Sequence, residues 1–166
     1  ECDICCTSGN AVAVVESLHS DTVIFLPDEF LGAWVARNTE VEIIPWRGHC
    51  EVHERFTGEE LRRYRAAEPG VYVLAHPECP PDVLEASDYV GSTAGMVGHI
   101  GATRPSRVVL VTECSMADNV AVEFPKTEFV RPCNLCPHMK RITLEAIYDA
   151  LSEMKHEVTI PEDVRV

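Results

Sequence analysis

The chain predicts an α/β fold, built as a pseudo-symmetric repeat of three-layer αβα units with short parallel sheets. Three observations predict it. Short apolar runs alternate with amphipathic stretches along the chain, the spacing of parallel strands joined by helical crossovers. Several runs are continuously apolar and β-branched, as in Thr22-Val23-Ile24-Phe25-Leu26, the pattern of strands buried on both faces. Landmarks also recur at an offset of about 85 residues, the mark of an internal repeat.

Taken in order, residues 3–7 read as a strand that opens the chain abruptly after Glu1, as though a longer protein continued upstream. Ser8-Gly9-Asn10 offers an N-cap for an amphipathic helix over residues 11–18. Residues 22–26 form the next strand, ended by Pro27, and residues 28–37 a helix. Residues 41–44 form a strand leading to Cys50, and residues 52–67 a long helix with arginines and glutamates on its wet face, stopped by Pro69-Gly70. Residues 71–75 are a strand ending at His76-Pro77-Glu78.

The second copy echoes the first. Ser92-Thr93 opens a helix containing Met96, as Thr7-Ser8 opens the first. Residues 108–113 repeat residues 23–28, Cys136 repeats Cys50, and a helix over 144–154 followed by Ile160-Pro161-Glu162 repeats the segment that ends in His76-Pro77-Glu78. The boundary between the copies falls between residues 79 and 80.

Composition narrows the function classes. With 166 residues the chain can bury a real core. Its net charge of −13 argues against nucleic acid and anionic membrane as partners. No apolar run is long enough to span a bilayer. Eight cysteines in so regular a strand–helix pattern point to reduced, cytoplasmic thiols rather than a disulfide scaffold.

The chemistry-bearing stretch is Pro132-Cys133-Asn134-Leu135-Cys136-Pro137-His138-Met139. No His-x3–5-His pair follows it, so it reads poorly as a zinc finger. The repeat register instead makes Cys50 and Cys136 equivalent, two thiolates aimed at one centre, with room for a third from an upstream unit. Cys133 reads as non-ligating, a candidate for a reversible disulfide with Cys136. His76 and Glu78 stand at the end of a parallel strand, where open α/β sheets place their sites, and suit proton transfer. His53, three residues after Cys50, is near enough to join them. Ser8, Ser92 and Thr93 mark helix starts that can bind anions, though plain capping explains them equally. Cys2, Cys5, Cys6, Cys79 and Cys114 read as packing residues, and Met96 and Met139 as core filler. Two other classes stay open: a thiol–disulfide oxidoreductase using Cys133 and Cys136, and a non-catalytic binding module.

A set of motifs runs through nearly the whole chain: Cys6-Thr7-Ser8-Gly9-Asn10-Ala11, Trp46-x-Gly48-x-Cys50-x-Val52-His53-Glu54-x-Phe56, His76-Pro77-Glu78-Cys79, Gly91-Ser92-Thr93-x-x-Met96, Val111-Thr112-Glu113 and Cys133-Asn134-Leu135-Cys136-Pro137-x-Met139. Together they resemble the quinolinate synthase family. Gly9 departs from the second serine often found there, and the Tyr-x-Asn segment that the family carries before the position of Cys6 is absent. The resemblance implies three pseudo-symmetric α/β units around a 4Fe–4S cluster, one cysteine from each. Residues 1–79 then correspond to the second unit and 80–166 to the third. It implies condensation of iminoaspartate with dihydroxyacetone phosphate, with loss of phosphate and water, in NAD biosynthesis, and a functional link to L-aspartate oxidase. It places catalysis on Glu78, His76 and His53, substrate binding on Ser8, His76, Pro77, Glu78, Ser92 and Thr93, and cluster ligation on Cys50 and Cys136. Without the first unit, this chain alone is expected to be inactive.

Overall fold

The computed structural model describes residues 2–130 and 134–162. These divide into two compact units: residues 6–135, and a smaller one drawn from residues 1–5 and 136–166.

The larger unit holds two parallel sheets. It begins with α1 (Ala11–Ser17), β1 (Thr22–Phe25), α2 (Glu29–Ala36) and β2 (Glu42–Pro45). β1 and β2 pair in parallel, Thr22 opposite Glu42 through Phe25 opposite Pro45. Their inner face packs Phe25 on Ala11, Val15, Leu31 and Val35 of the two helices. Ile24, expected on a strand covered twice, is 66% exposed, and Ile44 on the neighbouring strand is 48% exposed. Alternate residues of a strand face opposite ways, and helices cover only one of those faces here.

The second sheet follows. A 3-10 turn (His53–Arg55) precedes α3 (Gly58–Ala67), then come β3 (Tyr72–Ala75), α4 (Pro81–Glu85), β4 (Tyr89–Val90), α5 (Thr93–Thr103), β5 (Arg107–Val111), α6 (Ser115–Glu123) and β6 (Glu128–Val130). The strand order is β4-β3-β5-β6, all parallel. The alternation of β3 and β5 fills two cores. Val73, Ala75, Val109 and Val111 face α3 and α4, meeting Leu61 and Val83. Leu74, Val108 and Leu110 face α5 and α6, meeting Met96, Ile100, Ala117 and Val120. That is a three-layer αβα arrangement, and each fully buried aliphatic side chain contributes roughly 1.5–3 kcal/mol.

Three expectations need correction. Residues 3–7 form no strand, because all are exposed and no neighbouring ladder bonds them. The long helix over 52–67 is instead a 3-10 turn and a separate helix. Thr57 breaks it, since its hydroxyl accepts the Glu60 N–H while the Glu60 carboxylate accepts the Thr57 N–H, a reciprocal cap that starts a new helix. The repeat makes Ile160-Pro161-Glu162 the counterpart of the strand end at His76-Pro77-Glu78, yet Ile160 is exposed and residues 158–161 form no strand.

In the smaller unit, a 3-10 turn (Met139–Arg141) leads to α7 (Leu144–Glu153), capped by the Thr143 hydroxyl accepting the Ala146 N–H. Met139, expected in a core, is 55% exposed. No helix among the described residues is long and apolar enough to cross a membrane.

Candidate active site

β3 sits between β4 and β5, with Ala75 opposite both Val90 and Val111. The residues that follow these strands therefore share one edge: His76, Thr112 and the Gly91-Ser92 pair. The His76 N–H donates to the Val111 carbonyl at 3.2 Å and the Gly91 N–H to the Ala75 carbonyl at 3.1 Å, carrying the ladder one step beyond the strands. Pro77, fully buried, then turns the chain. The Cys79 N–H closes that turn on the His76 carbonyl at 3.0 Å.

Four sequence-nominated side chains meet here. The His53 ring stacks on the His76 ring, centroids 4.6 Å apart and planes 10° from parallel. His53 Nε2 lies 2.9 Å from Thr112 Oγ1, and its Nδ1 lies 3.0 Å from Glu78 Oε2. His76 Nδ1 accepts the Glu78 N–H at 3.3 Å. That nitrogen is then unprotonated, so Nε2 carries the proton and donates to Ser8 Oγ at 3.0 Å. Burial, helped by the neighbouring His53, pushes His76 down to about 4. The approach of His53, aided by His76, holds the Glu78 carboxyl below its ordinary value against the opposing effect of burial. At neutral pH the edge thus carries an ionised carboxylate beside a neutral imidazole.

Cys50 reaches the same place from the loop after β2. Its half-exposed thiol, a ring nitrogen of His53 and a carboxylate oxygen of Glu78 lie within 4.8 Å of one another. The loop is tied down by Asp28, whose Oδ2 accepts the Cys50 N–H at 2.7 Å while Oδ1 accepts the Phe30 and Leu31 N–H groups at the start of α2. Burial raises the Asp28 pKa in spite of these bonds. An accessible thiol on a braced backbone, beside nitrogen and oxygen donors, suits a soft or borderline metal centre. Cys50 therefore fits as one thiolate ligand of an iron–sulfur group.

The remaining nominees stand elsewhere. Ser92 Oγ accepts the Gly95 N–H at 3.1 Å and so caps α5. A Cβ at Gly9 would lie 3.3 Å from that same oxygen, so the turn bearing Ser8 adjoins the start of α5. Thr93 is exposed. Cys136 belongs to the smaller unit, where its sulfur accepts the Met139 N–H at 3.4 Å. Cys133 lies outside the described residues.

Sequence reasoning missed two members of this site. Thr112 orients His53, and its position just past β5 on the shared strand edge was the available signal. Asp28 was read only as a helix start. Cys2, Cys5 and Cys6, expected in packing, are exposed, with the Cys2 and Cys5 sulfurs 3.6 Å apart. The Cys2-x-x-Cys5 spacing was legible as a second pair. Cys79 is buried as expected, and its burial pushes the thiol well above the ordinary range.

Comparison with known proteins gives this geometry its context. The chain is 64% identical over 158 residues to a quinolinate synthase of Agrobacterium fabrum, an overlap of 95% of this chain and 46% of that protein. It is 62% identical over 164 residues to quinolinate synthase 1 of Mesorhizobium japonicum, covering 99% of this chain and 51% of that one. A quinolinate synthase of Caulobacter vibrioides is 58% identical over 168 residues, covering 99% and 46%. The chain thus spans about half the length of the curated relatives it matches. The sequence model of the family described as Quinolinate synthetase A protein matches residues 1–166, and the chain belongs to that family.

Proposed function

We propose that this chain supplies the second (1–79) and third (80–166) α/β units of a cytoplasmic quinolinate synthase. In this reading the complete enzyme condenses iminoaspartate, supplied by L-aspartate oxidase, with dihydroxyacetone phosphate, releasing phosphate and water on the route to NAD. The observation that carries the proposal is the half-buried His53–Glu78–His76–Ser8 network beside Cys50 at the ends of β3 and β5, in a chain of this family.

The residues divide the work by protonation state. The Glu78 carboxylate, ionised at neutral pH, is the general base for the proton removals that imine condensation and dehydration require. His53, braced by Thr112, positions that carboxylate. His76 is neutral and shares a proton with Ser8, so together they hold a substrate oxygen without adding charge. Pro77 fixes the turn that aims His76 and Glu78. Ser92 and Thr93, at the start of α5, hold anionic substrate groups with the free N–H groups of that helix. Cys50 and Cys136 supply two thiolates for a 4Fe–4S cluster whose third ligand lies in the upstream unit. When bound, that cluster supplies a Lewis-acidic iron able to polarise a substrate hydroxyl, carbonyl or carboxylate.

The test is Glu78→Gln in the protein completed with its upstream third. The brown chromophore after anaerobic reconstitution should persist, while quinolinate formation falls by about 10²-fold or more. Near-normal turnover would reassign Glu78 to the fold.

A further inference from the structure

Besides positioning Glu78, His53 aims one ring nitrogen at a point shared with two other donors. Its side chain is only 9% exposed. Nε2 is committed to Thr112, which leaves Nδ1 directed toward the Glu78 carboxylate. Although Glu78 Oε2 is 3.0 Å away, Nδ1 makes no hydrogen bond of acceptable geometry. In the tautomer whose Nε2 proton goes to Thr112, a ring nitrogen and a carboxylate oxygen present lone pairs to one half-buried point, where a cation would satisfy both. The third donor around that point is the Cys50 thiol.

We propose that Cys50 Sγ, His53 Nδ1 and Glu78 Oε2 form a mononuclear site for a borderline divalent cation of the zinc class, occupied when the iron–sulfur group is absent. The donor set of thiolate, imidazole and carboxylate is one that zinc accepts, with a fourth position left for water. Zinc bond lengths at tetrahedral angles separate nitrogen from oxygen by about 3.3 Å and sulfur from nitrogen by about 3.6 Å. The nitrogen and oxygen already stand 3.0 Å apart. The sulfur, within 4.8 Å of both, needs to close by about 1.2 Å at most. It sits on a half-exposed loop residue that can make that movement. Thr112 is the outer partner that fixes the ring, as metal-bound histidines require. The three donors come from the loop after β2, the 3-10 turn and the turn after β3, so the fold, not a local motif, assembles the site. Insofar as Cys50 is also a cluster ligand, a cation held here occupies the thiolate that iron needs, and zinc competes with cluster assembly.

The test uses the 166-residue chain, reduced and stripped with a chelator, with Co2+ as the probe and no iron or sulfide present. Co2+ should bind equimolarly, giving a thiolate-to-cobalt charge-transfer band and tetrahedral d–d bands that Zn2+ bleaches. Cys50→Ser should abolish the charge-transfer band. His53→Gln and Glu78→Gln should each weaken binding by about 10-fold or more, and Thr112→Val, which leaves every donor in place, by about 10-fold. The bands should survive in the Cys2→Ser/Cys5→Ser and Cys136→Ser variants. Thermal melts verify that each variant is folded, and Thr112→Val decides the matter if Cys50→Ser does not fold. Bands that ignore His53→Gln and Glu78→Gln, bands lost with Cys2 and Cys5 or with Cys136, or no cobalt binding at all would overturn the assignment. Glu78→Gln separates this site from the cluster proposal, because it weakens cobalt binding here yet leaves the iron–sulfur colour of the complete protein unchanged.

Discussion

Asp28 serves two backbones with one carboxylate. It caps α2 and holds the Cys50 N–H, and it does so 7% exposed. Asp28→Ala leaves three N–H groups without that acceptor, Cys50 among them. Loss of a cap costs about 1 kcal/mol, and a buried donor left unsatisfied adds about 1–3 kcal/mol. Chemical denaturation should therefore show a loss of about 2–3 kcal/mol, and a change below about 0.5 kcal/mol would refute the bracing role. At His76 the prediction concerns pH. Its folded-state pKa is about 4 against an ordinary 6.5, so the unfolded chain takes up the proton first. The stability that His76 contributes is complete above pH 6.5 and is lost as pH falls toward about 4. Glu78 adds a loss of its own only below its ordinary 4.5. Between those limits, wild type should lose on the order of 2 kcal/mol more than His76→Gln, measured by urea unfolding at stepped pH. Parallel curves for the two proteins would mean that His76 does not titrate as its surroundings dictate.

At the scale of elements, α3 and α4 meet backbone to backbone at Gly58. A Cβ on Gly58 would lie 2.3 Å from the Asp82 carbonyl oxygen, and the Gly58 N–H donates to the Asp82 side chain at 2.7 Å. Propensity alone favours alanine over glycine in a helix by about 1 kcal/mol. The clash is with backbone, so Gly58→Ala should instead destabilise by about 1–3 kcal/mol, seen as a lowered Tm. A raised Tm would show that α4 yields without cost. Such contacts mark where the sequence stops speaking. β3, β5 and α5 were legible because an apolar run, or Ser92 ahead of an apolar helix, states its structure locally. The two-residue β4 and three-residue β6 carry no periodicity and exist only because a neighbouring strand offers a ladder. Residues 3–7 fail in the opposite way, as an apolar run with no ladder beside it. The break at Thr57 was readable in principle from Thr57 and Glu60, but the surrounding amphipathic pattern masks it.

For the whole molecule, cluster ligation is the question that spans the chain. In the protein completed upstream, Cys50→Ser and Cys136→Ser should each abolish the visible iron–sulfur absorbance after anaerobic reconstitution, and Cys133→Ser should spare it. Dependence on Cys133 with Cys136 dispensable would move the ligand three residues upstream. Cys50, His53, His76 and Glu78 were legible as candidates for one site because two short motifs contain them all. Thr112 and Asp28 were not, since their partners are chosen by the packing of β5 against β3 and of the Cys50 loop against α2, which no local motif encodes. The same packing has a consequence for the order of assembly. Ser8 and His76 are 68 residues apart in sequence, and His53 and Thr112 are 59 apart. Closing such long loops delays contact formation, and chains emerge from the ribosome amino end first. A nascent chain that has delivered Cys50, His53 and Glu78 holds all three donors, yet it lacks the hydroxyl that turns His53 toward the other two. Until β5 docks against β3, its thiol and imidazole meet passing metal ions as independent ligands, and the selectivity of the finished site does not yet exist.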